Sequence, residues 1–211
     1  MTSSKIANHR SRAMRVLALT VLLCSSVIAG IEDGPRHIAH PDWMSPGLID
    51  LETDLETVRA QGKTGIMVLF TTQGCTYCAE FIRSSLGDPA TARRVQDNFV
   101  AIGLEIFDDV EMTDMFGADL PIKAFAERHK AGMAPTLLFF GPDGELMFRA
   151  IGYQTPERFG HILDYLIGRH HAEVSFRDYL AARLPPLSKG DAAAAPLRDD
   201  PPFARPPYAL S

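Results

Sequence analysis

The feature that most constrains this sequence is a pair of cysteines directly after a short apolar run. The run, Ile66–Phe70, is long enough for one strand, and Cys75-Thr76-Tyr77-Cys78 follows it. A C-x-x-C between a buried strand and a helix is typical of a redox pair, in which one thiol attacks a disulfide and the other resolves the mixed disulfide. Cys75 would precede the helix and Cys78 would lie one turn inside it. We therefore predict that Cys75 is the nucleophile and Cys78 the resolving thiol.

The remaining pattern predicts an α/β domain with a central mixed sheet flanked by helices. Apolar runs and turn residues predict strands at 65–71, 99–106, 136–140 and 145–151. Helical periodicity and capping residues predict helices at 48–62, from the cysteine pair to 86, from Pro89, from Pro121, at 155–167 and at 175–183. The acidic stretch 107–120 is predicted to be irregular. The first two strands would be parallel with a right-handed crossover, and the hairpin would add antiparallel strands at the edge.

Both ends of the chain are predicted to lie outside the folded domain. Basic residues before residue 16 and a mostly apolar stretch from Val16 to Ala29 are typical of a secretory signal. The stretch is short for a membrane-spanning helix, which needs about 20 apolar residues; an uncleaved anchor is the alternative. Prolines and alanines dominate the last residues, a composition that predicts no packed structure. We divide the chain into a signal peptide (1–30), an irregular leader (31–47), a folded domain (48–184) and a disordered tail (185–211).

Charge and cysteine content narrow the functional classes. The net charge is −5 and becomes more negative once the basic N-terminus is removed. This balance argues against a nucleic acid partner, because phosphate binding needs clustered Lys and Arg. Removal of the signal would also remove Cys24, leaving Cys75 and Cys78. Secreted proteins stabilised by disulfides carry several widely spaced cysteines, so the single close pair favours chemistry over structure.

Other uses of the pair remain open from the residues alone. Zinc prefers four ligands, and no second C-x-x-C is present; His170-His171 would have to complete such a site. Copper(I) favours thioether ligands, which Met112, Met115 and Met133 could supply, although methionines more often fill cores. The pair could also be an inert disulfide, or belong to a non-catalytic interaction domain.

Several motifs together resemble the thioredoxin superfamily over residues 48–170. These are the C-x-x-C at a strand–helix junction, Met133-Ala134-Pro135-Thr136 opening a strand, the turn Pro142-Asp143-Gly144, Gly152-Tyr153, and Phe159 in the last long helix. The chain is most similar to extracytoplasmic members, which include Sox-type thioredoxins and Dsb-type reductants. The resemblance implies that Pro135 is cis and faces the cysteines, and that Ala134 offers its backbone to an extended substrate. It also implies that Thr76 and Tyr77 contact substrate and tune the redox potential.

The sequence departs from the family at three places. Thioredoxin carries a buried Asp that relays protons six residues before its first cysteine, where this chain has Leu69. Glu105 is a candidate replacement, with an ordinary surface carboxylate as the alternative. The stretch 107–131 is longer than in small thioredoxins; it could form a lid or partner surface, or be a plain surface insertion. Gly74 precedes Cys75 where thioredoxin has Trp.

Together these observations predict an exported, periplasmic thiol–disulfide oxidoreductase. It would reduce or isomerise disulfides of other extracytoplasmic proteins through a Cys75 mixed disulfide. It would use no cofactor other than the redox-active Cys75–Cys78 disulfide, and it would receive electrons from a membrane thiol donor. The alternative function is an extracytoplasmic copper- or zinc-binding module that uses the same cysteines.

Overall fold

The computed structural model describes residues 37–44 and 49–183 of the 211-residue chain. The predicted signal peptide and the predicted tail from 185 lie outside the described residues. The described part of the leader, 37–44, forms a turn but no helix or strand. Among the described residues, no helix combines the length and apolarity needed to cross a membrane.

Helices connect and flank the strands in the predicted order. They are α1 (Leu51–Gln61), α2 (Thr76–Phe81), α3 (Pro89–Asn98), α4 (Ile122–Arg128), α5 (Pro156–Ile167) and α6 (Phe176–Ala181). A π-helical stretch, Ile82–Leu86, continues α2 without a break, and a 3₁₀ turn, His170–Ala172, follows α5. Local sequence sets the starts of the long helices: Asp50, Asp88 and Thr155 each accept a backbone N–H at the N-cap.

Four strands form the central sheet, in the order β2–β1–β5–β6. They are β1 (Gly65–Thr71), β2 (Phe99–Glu105), β5 (Thr136–Phe140) and β6 (Leu146–Ile151). β1 and β2 are parallel, as predicted, and β5 and β6 are antiparallel to their neighbours. The hairpin joins the edge of the parallel pair, as predicted: β5 pairs with β1 and lies inside the sheet, and β6 forms the outer edge. This interior position explains why every residue of β5 is apolar or buried.

The sheet divides the core into two layers. Because side chains alternate along a strand, Ile66, Val68 and Phe70 of β1 pack with α1 and α4 on one face. Met67 and Leu69 pack on the other face with Phe81 and with the apolar side of α5. The face that carries Leu69 is therefore the face covered by the helix that begins at the cysteine pair; we call it the cysteine face.

The stretch 107–120 is more ordered than predicted. It contains a small antiparallel hairpin of β3 (Glu111–Thr113) and β4 (Asp119–Pro121). Strands of three residues are too short for alternation to reveal them in the sequence. The hairpin is stabilised instead by tertiary contacts: Met112 and Leu120 are buried in the core, and the carboxylate of Asp114 holds the turn.

Candidate active site

The cysteine pair lies where β1 ends at the carboxyl edge of the sheet. After Thr71 the chain turns through Gly74, whose φ of 70° lies in the left-handed region that glycine adopts without strain. The turn places Cys75 at the N-cap of α2 and Cys78 one turn inside the helix. This placement agrees with the geometry predicted from the spacing.

The two cysteines form a disulfide, with their Cα atoms 5.3 Å apart. Their surroundings differ. Cys75 is half-buried, and its sulfur accepts a hydrogen bond of 3.1 Å from the backbone N–H of Cys78. Cys78 has no exposed surface. A backbone N–H directed at a sulfur stabilises its thiolate, so this arrangement favours Cys75 as the attacking sulfur once the disulfide is reduced.

The predicted substrate-facing residues gather at the same end of the sheet. Thr136 at the start of β5 pairs with Phe70 near the end of β1, so the preceding Ala134 and Pro135 lie beside the loop that carries the cysteines. The peptide bond between Ala134 and Pro135 is cis, as the family resemblance implies. Ala134 is half-buried, and the carbonyl of Pro135 accepts a hydrogen bond of 2.8 Å from the N–H of Gly152.

Aromatic and apolar side chains surround this end of the sheet. The ring of Tyr77 lies 6.3 Å from that of Tyr153, whose hydroxyl is 3.3 Å from Ser84 Oγ. Thr76 is exposed, Tyr77 is 37% exposed, and Met133 before the cis bond is 60% exposed. The predicted contact residues therefore border an accessible, partly apolar surface, a kind of surface that commonly binds another protein chain.

The same end of the sheet contains a residue that sequence reasoning missed. Leu69, where thioredoxin has its acid, is fully buried and apolar. Next to it, the imidazole of His40 reaches in from the leader, and its Nε2 lies 3.2 Å from Thr71 Oγ1. His40 stands in an irregular segment 35 residues before the pair, so no local pattern indicated its position. Burial, with a smaller contribution from His37, lowers the pKa of His40 to about 4.

Glu105 lies beside Thr71, at the end of β2. It is the register partner of Thr71, and its Oε2 is buried without a hydrogen-bond partner. Glu105 as a whole is half-buried and lines the cleft between the leader and β2.

The residues considered for metal binding are dispersed. In residues 37–44 and 49–183, no group of three or more His, Cys, Asp or Glu side chains is arranged to hold a metal ion. His170 packs on Tyr179 and His171 on Tyr165, in and beside the turn after α5. Met112 and Met115 are buried in the core on the other face of the sheet.

Comparison with known proteins gives a family and a fold. A family model described as a thioredoxin-like domain matches residues 51–167. A thioredoxin-fold protein from Helicobacter pylori superposes with a TM-score of 0.51 at 15% identity, covering 57% of this chain and 84% of its own. A thioredoxin from Thermus thermophilus has a TM-score of 0.45 at 23% identity, covering 60% and 98%. The DsbD C-terminal domain of Neisseria meningitidis has a TM-score of 0.42 at 12% identity, covering 57% and 99%. No curated protein matches the sequence.

Proposed function

Because the chain belongs to the thioredoxin-like family, and its C-x-x-C disulfide supports a thiol–disulfide oxidoreductase, we propose that it is an exported reductant of protein disulfides. Cys75 attacks the substrate disulfide and forms a mixed disulfide. Cys78 then attacks Cys75 and releases the reduced substrate. The observation that carries this proposal is the contrast between the two sulfurs, one half-buried at a helix N-cap and the other fully buried.

The surface around the pair supports a protein substrate. Thr76 and Tyr77 open the helix after Cys75, and Ala134 and Pro135 precede β5 at the same end of the sheet. These four residues would contact an extended segment of the partner. The disulfide itself is the redox group, and the proposed chemistry needs no other cofactor.

The direction of electron flow is proposed as reduction. Thr76 and Tyr77 do not supply the charged partner that stabilises the thiolate of a strong oxidant, and reduction potentials of such pairs range from about −270 mV in a reductant to about −120 mV in an oxidant. A reductant outside the cytoplasm needs electrons, so the oxidised pair would be re-reduced by a thiol donor in the membrane. Basic and apolar residues at the N-terminus support export to the periplasm.

Insulin disulfide reduction tests the activity. The wild-type chain should catalyse it with dithiothreitol as electron source, and Cys75→Ser should be inactive. Cys78→Ser should accumulate mixed disulfides on Cys75. Absence of turnover by the wild type, together with stoichiometric binding of Cu(I) or Zn(II), would show that the cysteines serve a metal instead.

Titration against glutathione tests the direction. A potential in the range of about −230 to −270 mV supports a reductant, whereas a value near about −120 mV contradicts it. In cells that express the full chain, the pair should be recovered from the periplasm mainly as free thiols. Recovery from the cytoplasm would contradict export.

A further inference from the structure

A cleft opens at the carboxyl end of β2, one strand away from the cysteine pair. It has a volume of about 550 Å³ and lies between the leader and β2, with Glu105 among its lining residues. Glu105 is the register partner of Thr71, and the N–H of the next residue, Ile106, donates to the Thr71 carbonyl at 2.9 Å. The N–H of Cys75 in turn donates to the Thr72 carbonyl at 3.1 Å. Because neighbouring strands lie about 4.8 Å apart, the cleft is within reach of a partner chain that is bound at Cys75.

Apolar side chains form much of the cleft wall. Met44 of the leader, Leu104 of β2 and Ile122 at the start of α4 line it, and all three are buried in the core. Val110, from the loop between β2 and β3, adds a fourth apolar side chain near the opening. An open cleft with apolar walls is a surface that commonly binds another molecule.

The loop between β2 and β3 exposes apolar side chains although it is held in place. Phe107 is 68% exposed and Val110 is 51% exposed. The N–H of Ile122 donates to the Val110 carbonyl at 3.0 Å, and the N–H of Lys123 donates to the Asp108 carbonyl at 3.1 Å. A loop fixed on a helix in this way is preorganised for contact with a partner, because little conformational freedom is lost on binding.

The charged groups of the cleft determine which kind of side chain fits it. The carboxylates of Asp42, Glu105 and Asp108 line the cleft, and none of its lining residues in the described part of the chain is Lys or Arg. Oε2 of Glu105 is buried without a hydrogen-bond partner among these residues, and a carboxylate oxygen shielded from water is stabilised by a donor. The imidazole of His40 adds no positive charge at neutral pH, because burial, and to a lesser extent His37, lowers its pKa to about 4.

We propose that the cleft binds a lysine or arginine side chain of the substrate protein, from the segment that flanks the cysteine attacked by Cys75. The inference rests on the proposed function and adds a substrate class to it, namely proteins with a basic residue close to the disulfide. The apolar walls pack against the methylene stem of the basic side chain, as apolar surfaces commonly do. Glu105 and Asp108 accept hydrogen bonds from its ammonium or guanidinium group. The disulfide exchange itself stays at Cys75.

Short peptides with one activated cysteine test this preference. The central cysteine of each peptide forms a mixed disulfide with thionitrobenzoate, and Arg, Ala or Glu is placed at each flanking position in turn. Cys75 of the reduced chain attacks the peptide sulfur and forms a new disulfide with it, and thionitrobenzoate leaves with the electron pair as a coloured thiolate. At low salt the best Arg peptide should react about tenfold faster than its Ala counterpart, as one hydrogen bond to a charged group allows. The Glu peptide should react more slowly than the Ala peptide, and added salt should reduce both differences.

Variants of the two carboxylates locate the preference in the cleft. Glu105→Gln and Asp108→Asn should each reduce the Arg preference to about threefold, and the double variant should abolish it. Asp108 Oδ1 accepts the N–H of Val110 at 3.1 Å, and the amide oxygen of Asn can still accept it. Because the result is a ratio of two peptides on the same variant, a general loss of reactivity cancels. The control is Glu145→Gln, the same change of charge at an exposed residue of the turn between β5 and β6, at the opposite end of the sheet; it should keep the wild-type ratio.

The outcomes separate this inference from the function on which it rests. Equal rates for the Arg and Ala peptides in the wild type overturn the inference, and so does a preference that survives in the double variant. A preference that Glu145→Gln weakens as much as Glu105→Gln does reflects the overall charge of the chain and overturns it too. A wild-type chain that reacts with every peptide no faster than Cys75→Ser overturns the proposed function itself.

Discussion

Asp114 is the residue that holds the β3–β4 hairpin on the domain, and its removal gives a quantitative test of this role. Its side chain is 2% exposed. Oδ1 accepts hydrogen bonds from the backbone N–H groups of Phe116, at 2.9 Å, and Ala118, at 3.0 Å. Oδ2 accepts from Nη1 of Arg128 on α4 at 2.5 Å. One carboxylate thus closes the turn of the hairpin and ties the hairpin to a helix.

The expected cost follows from these three contacts. Asp114→Ala removes the acceptor of two backbone hydrogen bonds, and each contributes about 0.5–1.5 kcal/mol because Phe116 and Ala118 are exposed and water can replace the carboxylate. The ion pair adds little, because the Arg128 side chain is 51% exposed and screened by water. We expect Asp114→Ala to lower the free energy of unfolding by about 2 kcal/mol. Asp114→Asn, which keeps an acceptor for the turn, and Arg128→Met should each lower it by about 1 kcal/mol.

Urea unfolding followed by far-ultraviolet circular dichroism measures these differences, and an unchanged slope with denaturant shows that the same surface unfolds. The pH dependence adds an independent check. Burial raises the pKa of Asp114, but the hydrogen bonds from Ala118, Phe116 and Arg128 outweigh it and leave the pKa below its ordinary value. Its stabilisation is therefore present above the ordinary pKa and lost as the pH falls through the lowered one, so the cost of Asp114→Asn should shrink in acid. A cost below about 0.5 kcal/mol for Asp114→Ala at neutral pH would refute the reasoning.

Two further substitutions test the fold around the sheet. Burial, and to a lesser extent the negative charge of Asp50, raises the pKa of Asp54 to about 6. The folded state therefore loses stability as the pH rises from about 4 through about 6. Asp54→Asn should raise the free energy of unfolding at pH 7 by about 1 kcal/mol, allowing for solvent screening, and flatten that pH dependence; an unchanged unfolding midpoint across this window would contradict the shift. Phe81 is fully buried, and its ring lies 5.0 Å from that of Phe159. Replacing Phe81 by Ala should lower the free energy of unfolding by about 3–5 kcal/mol. A loss below about 1 kcal/mol in calorimetry would show that α2 does not depend on this contact.

The sequence predicted the central elements well where local signals were strong. The uninterrupted apolar run of β1 indicated a strand buried on both faces, and every residue of β1 is buried in the interior of the sheet. Asp88-Pro89 marked the start of α3, because an N-cap acceptor followed by proline is a local signal. The hairpin was predicted to join the edge of the parallel pair, but which of those two strands it pairs with was not, since an apolar hairpin can pair with either and only the packed sheet decides.

The candidate site shows the same division. The spacing of Cys75 and Cys78 and the start of the helix between them determined which sulfur is half-buried and which is enclosed, because a helix turn separates residues three apart by a fixed amount. What packs against the end of β1 was decided by tertiary structure alone. His40 approaches Thr71 across 31 residues of sequence, and it fits only because Gly103, on a neighbouring strand, leaves room for its ring. Contacts between segments so far apart depend on how the whole chain packs, and no local pattern encodes them.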